Sequence, residues 1–322
     1  MVKKPTLSII LLSDARPGHY RQSEGILAAL ALNYTLDVKW IQLCGRSGIS
    51  AGFARRLVRL FGWTGPCWLW SIFYKTALPQ KPQLVLSTGA MTLPANALLA
   101  KIYGCQNLFN GSLRGAPAHW FSLCLDLPPT PSKNAEPVLK PNAIRPVQDG
   151  DHILILIGGN AGSHRYNKKD WRNLLLQIER IKSVTARKVS LISSPRTPKE
   201  AEDILKTSPH IERLHLFSQQ GPYSLQEHLE ESALVLCSED SNSMLSEALC
   251  SGLPVIALRP QWRKPNVQEQ GYLDWLAQHC GLASMQLNNL DFDWQCCLDT
   301  IRPYKEDAIV NLNKLLRQKL NL

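Results

Sequence analysis

The chain has 322 residues, 44% hydrophobic and 19% charged, an ordinary globular usage that excludes a disordered chain and suits two domains. Its formal charge of +10 lies wholly in residues 1–150, where 16 Lys and Arg face 6 Asp and Glu; such a field draws an anionic partner, and with no helix-turn-helix, RNP or zinc-finger pattern that partner is not nucleic acid. No apolar run approaches the roughly 18 residues of a membrane span, the run at 7–12 is too short for a signal peptide, and nine cysteines without Cys-x-x-Cys spacing exclude a disulfide framework, so a cytoplasmic chain is expected.

In chain order, apolar residues 7–13 predict a strand, 14–20 a loop, 22–32 a helix and 38–43 a second strand. Between Asp37 and Asp126 there is no acid but nine bases. Within this segment Phe53, Leu57, Leu60 and Phe61 fall on one helical face, opposite Arg55, Arg56 and Arg59. Trp63, Trp68 and Trp70 follow. Arginines beside tryptophans suit the headgroup zone of an anionic membrane surface, and the same pattern suits a core helix with a solvated basic face.

Residues 84–87 predict a short buried strand leading into Thr88 and Gly89, then a helix over 93–103. The proline-broken stretch 128–146 reads as an interdomain linker. Beyond it come a strand at 152–157, a helix at 169–182, and a strand at 188–192. A helix at 199–206 and a strand near 214–217 continue the series, then a helix at 225–232 and a strand at 234–237. A helix at 243–251, a strand at 254–258 and a C-terminal helix within 305–322 complete it. This alternation predicts an α/β chain of two Rossmann-like, doubly wound domains facing a cleft, residues 1–146 and 147–322.

In such sheets ligands bind at the carboxyl ends of strands, where helix N-termini present free amides. The densest candidate is Asp240, Ser241, Ser243, Ser246 and Glu247: hydroxyls and amides for a diphosphate, and an acid for ribose hydroxyls. The plain alternative is a capped helix start. Gly158, Gly159, Asn160 and Ser163 form a turn whose amides can approach phosphate. Ser194, Arg196 and Thr197 form a possible phosphate clamp, or a turn before a helix. In the first half, Asp14 and His19 are residue types that act as general bases, though His19 is equally read as an exposed or capping imidazole. Gly18, Thr88, Gly89 and Arg114 are candidates for holding an anionic acceptor. Asp291-Phe292-Asp293 reads as a surface loop, so no metal site is expected.

The blocks Asp14-Ala15-Arg16-Pro17-Gly18-His19 with Gln22 and Gly25, Ser87-Thr88-Gly89 with Pro94, Ile157-Gly158-Gly159, residues 193–198 and residues 240–248 together resemble the mitochondrial-fission ELM-type family, whose bacterial members are read as glycosyltransferases. The resemblance implies a GT-B fold, with a nucleotide-sugar donor on the second domain and an acceptor on the first. A distant likeness to the lipid-intermediate glycosyltransferases of envelope synthesis implies the basic-aromatic membrane patch. The family pattern more often has glycine at position 15, and arginine where Pro195 stands here.

The expected function is sugar transfer from a nucleoside-diphosphate donor, with no further cofactor. The acceptor would be lipid-linked or a lipopolysaccharide core, at the cytoplasmic face of the inner membrane. Asp14 or His19 would take the acceptor proton. The alternatives are a non-catalytic, membrane-recruited adaptor on the same scaffold and a nucleotide-sugar epimerase.

Overall fold

Strands that are apolar on both faces belong in parallel sheets covered on each side by helices. The computed structural model describes residues 4–43, 51–61, 66–75, 77–127, 132–320 and 322, and builds two such six-stranded sheets. Two compact units result, residues 1–143 with 308–322 and residues 144–307.

In the first unit the elements are β1 (Thr6–Ser13), α1 (Pro17–Leu30), β2 (Thr35–Gln42), α2 (Ala51–Phe61), α3 (Pro66–Phe73), β3 (Leu84–Thr88), α4 (Leu93–Tyr103), β4 (Gln106–Asn110), β5 (Leu123–Leu125) and β6 (Ala135–Glu136). The sheet order is β2-β1-β3-β4-β5-β6, all parallel. One core, with Leu7, Ile9, Leu11, Ile26 and Leu30, fills one face of the sheet. A second, with Ile10, Leu12, Leu69, Trp70, Phe73 and Leu98, fills the other.

The second unit comprises β7 (His152–Ile157), β8 (His164–Arg165), α5 (Lys168–Thr185), β9 (Lys188–Ser193), α6 (Lys199–Leu205), β10 (Arg213–His215), α7 (Phe217–Gln220), α8 (Leu225–Glu230), β11 (Ser232–Ser238), α9 (Asn242–Cys250), β12 (Val255–Arg259), β13 (Trp262–Arg263), α10 (Val267–Cys280), β14 (Ala283–Gln286) and α11 (Trp294–Thr300). Its parallel order is β10-β9-β7-β11-β12-β14. A separate antiparallel ribbon pairs β8 with β13.

Helix α12 (Ala308–Lys319) corrects the expected division at 146/147. The chain passes between units at 143/144, within the predicted linker, and α12 belongs to the first unit, not the second. Its buried stripe Ile309, Leu312 and Leu316 joins the core of Ile26 and Leu30. Asn313 donates to the Ala29 carbonyl at 2.7 Å and accepts from Asn33 at 2.7 Å, pinning the helix beside α1. The helix was visible as a period of apolar residues; its destination is a long-range contact that no local pattern encodes.

The basic-aromatic segment is also revised. Helix α2 seats Ala54 and Val58 in the core and leaves Phe53, Arg56 and Leu60 exposed. Helix α3 exposes Trp68 and Ile72. Trp70, expected on the membrane face, is 1% exposed and packs in the core against Tyr74, so it meets no bilayer. Trp63 lies outside the described residues, as do the side chains of Arg55 and Arg59. Among the described residues no helix is long and apolar enough to cross a membrane.

Candidate active site

The first sheet reverses its winding beside β1, between β2 and β3, so the loops after β1 and β3 diverge at the carboxyl edge. Proline favours the first helical position, and α1 starts at Pro17 rather than at residue 22. Gly18 and His19 therefore lie in its first turn. Asp14 accepts from the Arg16 amide at 3.3 Å, and its two carboxylate oxygens stand 3.0 and 2.9 Å from His19 Nδ1. A carboxylate only accepts, so Nδ1 carries a hydrogen, and in the neutral ring Nε2 is then the acceptor. The imidazole rests on Gly89, whose φ of +91° also requires glycine. Asp14 and His19 from one motif and Gly89 from another thus meet at one edge.

Thr88 is turned inward, its hydroxyl 2.9 Å from Ser23, and so leaves the expected acceptor role to its neighbours. Arg114 is exposed on the loop after β4, and Gly18 has open space around its α-carbon. Sequence reading passed over Asn110. It ends β4, donates to Gln22 at 2.8 Å, and holds its Oδ1 buried without a hydrogen-bond partner.

In the second unit the winding reverses between β7 and β11. The loops after β7, β9 and β11 converge on Asp240, whose side chain is fully buried. Its carboxylate accepts from Gly159 at 3.2 Å and pairs with Arg196 at 2.8 Å. A Cβ on Gly158 would lie 2.4 Å from this carboxylate, and one on Gly159 would lie 2.0 Å from the Arg196 carbonyl. Burial drives the Asp240 carboxyl above its ordinary range, against the pull of Arg196. The glycines thus serve first to bring three loops together.

Several expected donor contacts are committed inside the protein. Thr197 donates to the carbonyls of Ile157 and Gly158, and Ser194 caps the turn that contains Arg196 and Thr197. Asn160 accepts from the Tyr166 amide at 2.8 Å. Ser246 donates back to the Asn242 carbonyl at 2.8 Å and contacts the Tyr272 hydroxyl at 3.0 Å. Thr197 and Ser246 commit their hydroxyls to internal partners and Ser194 braces its turn, while Asn160, itself exposed, holds the loop through its Oδ1. Ser241 is the N-cap of α9, accepting from Met244, and Ser243 and Glu247 lie on that helix, half-buried.

A second buried carboxylate went unread. Glu239, wholly enclosed, meets His164 Nε2 at 3.1 Å, Arg259 Nε, and Arg263 Nε at 2.6 Å, the last without hydrogen-bond alignment. Burial pushes its carboxyl up, but the His164 hydrogen bond and the two arginines outweigh burial and hold it below its usual range. Ser163 contacts His164 Nδ1 at 3.0 Å, so the expected donor serine belongs to this network. The β8–β13 ribbon carries His164 here and places Arg165 4.7 Å over the Trp262 ring.

Two doubly wound units with site loops at their winding reversals are the GT-B class of fold. MurG of Acinetobacter baumannii matches with TM-score 0.55 at 11% identity, covering 98% of this chain and 99% of that one. The UDP-GlcNAc 2-epimerase of Methanocaldococcus jannaschii matches with TM-score 0.55 at 15% identity, covering 97% and 99%. The UDP-GlcNAc 2-epimerase of Neisseria meningitidis, in its structure bound to UDP-GlcNAc, gives 0.52 at 14%, covering 97% and 98%. Among curated proteins none matches in sequence.

The family described as Mitochondrial fission ELM1 matches over residues 133–283, which bears out the family resemblance read from the motifs. That span contains the Gly158-Gly159, Arg196 and Asp240–Glu247 blocks. The Asp14–His19 and Thr88–Gly89 blocks lie outside it.

Proposed function

We propose that the chain is a glycosyltransferase that moves a sugar from a nucleoside diphosphate to a lipid-linked or lipopolysaccharide-core acceptor at the inner face of a cell envelope. The observation that carries this reading is the Asp14–His19 pair, with Nδ1 held at 2.9 Å and the ring seated on Gly89. Asp14 fixes the tautomer, and His19 Nε2 takes the proton from the acceptor hydroxyl. The acceptor oxygen forms the new bond to the anomeric carbon, the bond from that carbon to the diphosphate breaks, and the nucleoside diphosphate leaves with the electron pair.

The donor belongs on the second unit. The first amides of α9, with Ser243, meet the diphosphate, and Glu247 accepts from the ribose hydroxyls. Arg196 offsets the charge of Asp240, so this loop edge does not repel an anion. The acceptor belongs on the first unit, beside Gly18, Gly89, Asn110 and Arg114. Phe53, Leu60 and Trp68, exposed near Arg56 in a segment free of acids, support contact with an anionic membrane surface.

Thermal melting with UDP- and GDP-sugars tests donor binding, and release of nucleoside diphosphate on adding envelope lipid tests transfer. A raised melting point with one donor is expected, together with loss of transfer in Asp14→Asn and His19→Gln. No shift with any donor overturns the reading. Donor turnover without acceptor replaces it with the epimerase reading, to which the shared fold of the two epimerases is equally suited.

A further inference from the structure

At the carboxyl edge of β11 and β12 two arginines share one carboxylate. Arg259 is the last residue of β12 and lies beside Glu239, whose amide donates to the Leu258 carbonyl at 3.1 Å. Arg263 arrives on β13, the ribbon strand that pairs it with His164. Each arginine meets Glu239 through Nε, Arg259 at Oε2 and Arg263 at Oε1. Because Glu239 is wholly enclosed, one fixed group holds both guanidiniums by their inner ends.

The outer ends are open. Arg263 gives one Nη to Gln270 at 2.8 Å. Its other Nη and both of Arg259 have no hydrogen-bond partner among the described residues, and none of the three is sealed from solvent. One carboxylate thus answers two permanent cations. His164, the other partner of Glu239, brings no negative charge, and residues 248–268 contain no acid. The next one, Glu269, accepts from the Asn266 amide in the cap of α10, and Asp240 pairs with Arg196.

Pinning the ribbon to the sheet takes one ion pair. The arginines are 28% and 22% exposed, so the second guanidinium adds a desolvation cost that the shared carboxylate offsets only in part. An incoming anion removes that imbalance. Planar guanidinium edges not engaged by Glu239 match the oxygens of a phosphate or carboxylate, and with both Nε groups already held, little side-chain freedom is lost on binding. Asp240 and Ser241, the N-cap of α9, follow Glu239 directly, so the same edge carries both features.

We infer that Arg259 and Arg263 form an oxyanion-binding fork, which takes a phosphate or carboxylate of the substrate held on the second unit. The fork follows from the charges and contacts above; only the identity of that substrate as a nucleotide sugar rests on the proposed function. The group has two possible sources, the diphosphate beside α9 and a carboxylate on the transferred sugar.

Isothermal titration of the whole chain with inorganic pyrophosphate, UDP-glucose and UDP-glucuronic acid tests it. The two sugars differ only in a carboxylate for a hydroxymethyl group. Arg259→Lys keeps a cation beside Glu239 but removes the fork, and should weaken pyrophosphate or UDP-glucuronic acid by at least about tenfold. Should that variant fail to fold, Arg263→Lys decides, with the same loss of about tenfold. Loss for pyrophosphate and both sugars marks the phosphate as the group held, and loss confined to UDP-glucuronic acid marks the carboxylate.

A parent chain that binds none of the three probes overturns the fork. So does binding of every probe left within about twofold by both variants, and if the sugars still bind, the donor reading then stands without it. Binding of pyrophosphate alone, weakened in the variants, upholds the fork and counts against the donor reading.

Discussion

The His19 ring lies so close to Gly89 that a Cβ at residue 89 would stand 2.3 Å from ring atom Cε1. Two loops that are 70 residues apart in sequence therefore specify each other: the glycine is the seat of the imidazole. Gly89→Ala must move the ring away from Asp14 or shift the turn, and its backbone at φ +91° resists any side chain. Displacement of a catalytic group by about 1 Å costs about 100-fold in rate. Transfer should fall by that order in Gly89→Ala while donor binding, measured by thermal shift, is retained.

Ala15 occupies left-handed backbone at φ +61°, next to the Asp14 carboxylate. An L-residue pays roughly 1–2 kcal/mol there, and glycine returns roughly 0.5–1 kcal/mol of that as lost chain entropy. Ala15→Gly should therefore stabilise the first unit by less than about 1 kcal/mol, read as a rise of about 2 °C in melting temperature.

Arg196 was expected to clamp a phosphate, but its observed partner is Asp240. Removing the arginine leaves a buried carboxylate unpaired. Because Arg196 is 43% exposed, water offsets part of the loss, and Arg196→Ala should cost about 2 kcal/mol in urea unfolding. Adding Asp240→Asn should restore most of this, since the amide still accepts from Gly159. If Arg196→Ala leaves stability unchanged and abolishes donor binding, the clamp is its role instead.

Glu239 sets an acid limit on stability. Its folded carboxyl lies below the ordinary value of 4.5, so its contribution is present above that pH and is lost as pH falls through the lower folded value. Glu239→Gln strands two arginines and should cost about 3 kcal/mol at pH 7. The gap between variant and parent, from urea midpoints, should narrow steadily below about pH 4. A gap that stays constant down to pH 3 would contradict the assignment of the charge to Glu239.

Much of this architecture was legible because continuous apolar runs announce buried strands. The predicted strand at 152–157 and helix at 93–103 coincide with β7 and α4. Strand β4 was missed because Gln106, Asn107 and Asn110 read as polar. In the fold the Asn107 amide meets Asn96 and Ser122, and the Asn110 amide donates to Gln22, 88 residues away in sequence. The β8–β13 ribbon has only two residues per strand, too few for any period. Helix α10 carried a local signal, the capping box of Asn266 and Glu269, that was not used.

The site shows the same division. The sequence marked the strand-end loops, and Gly158, Arg196 and Asp240, taken from three of them, do lie together. It did not show which hydroxyls face outward. Thr197 and Ser246 have the same local appearance as Ser243, and only the three-dimensional surroundings commit them to internal carbonyls.

The return of α12 to the first unit gives biosynthesis an order. Residues 144–307 form an uninterrupted segment that can fold as it leaves the ribosome. The earlier-made sheet must wait, with Ile26 and Leu30 uncovered until Leu312 and Leu316 have been translated. Throughout that interval a nascent, greasy helix face is on offer to chaperones, until residues 308–319 emerge and cover it.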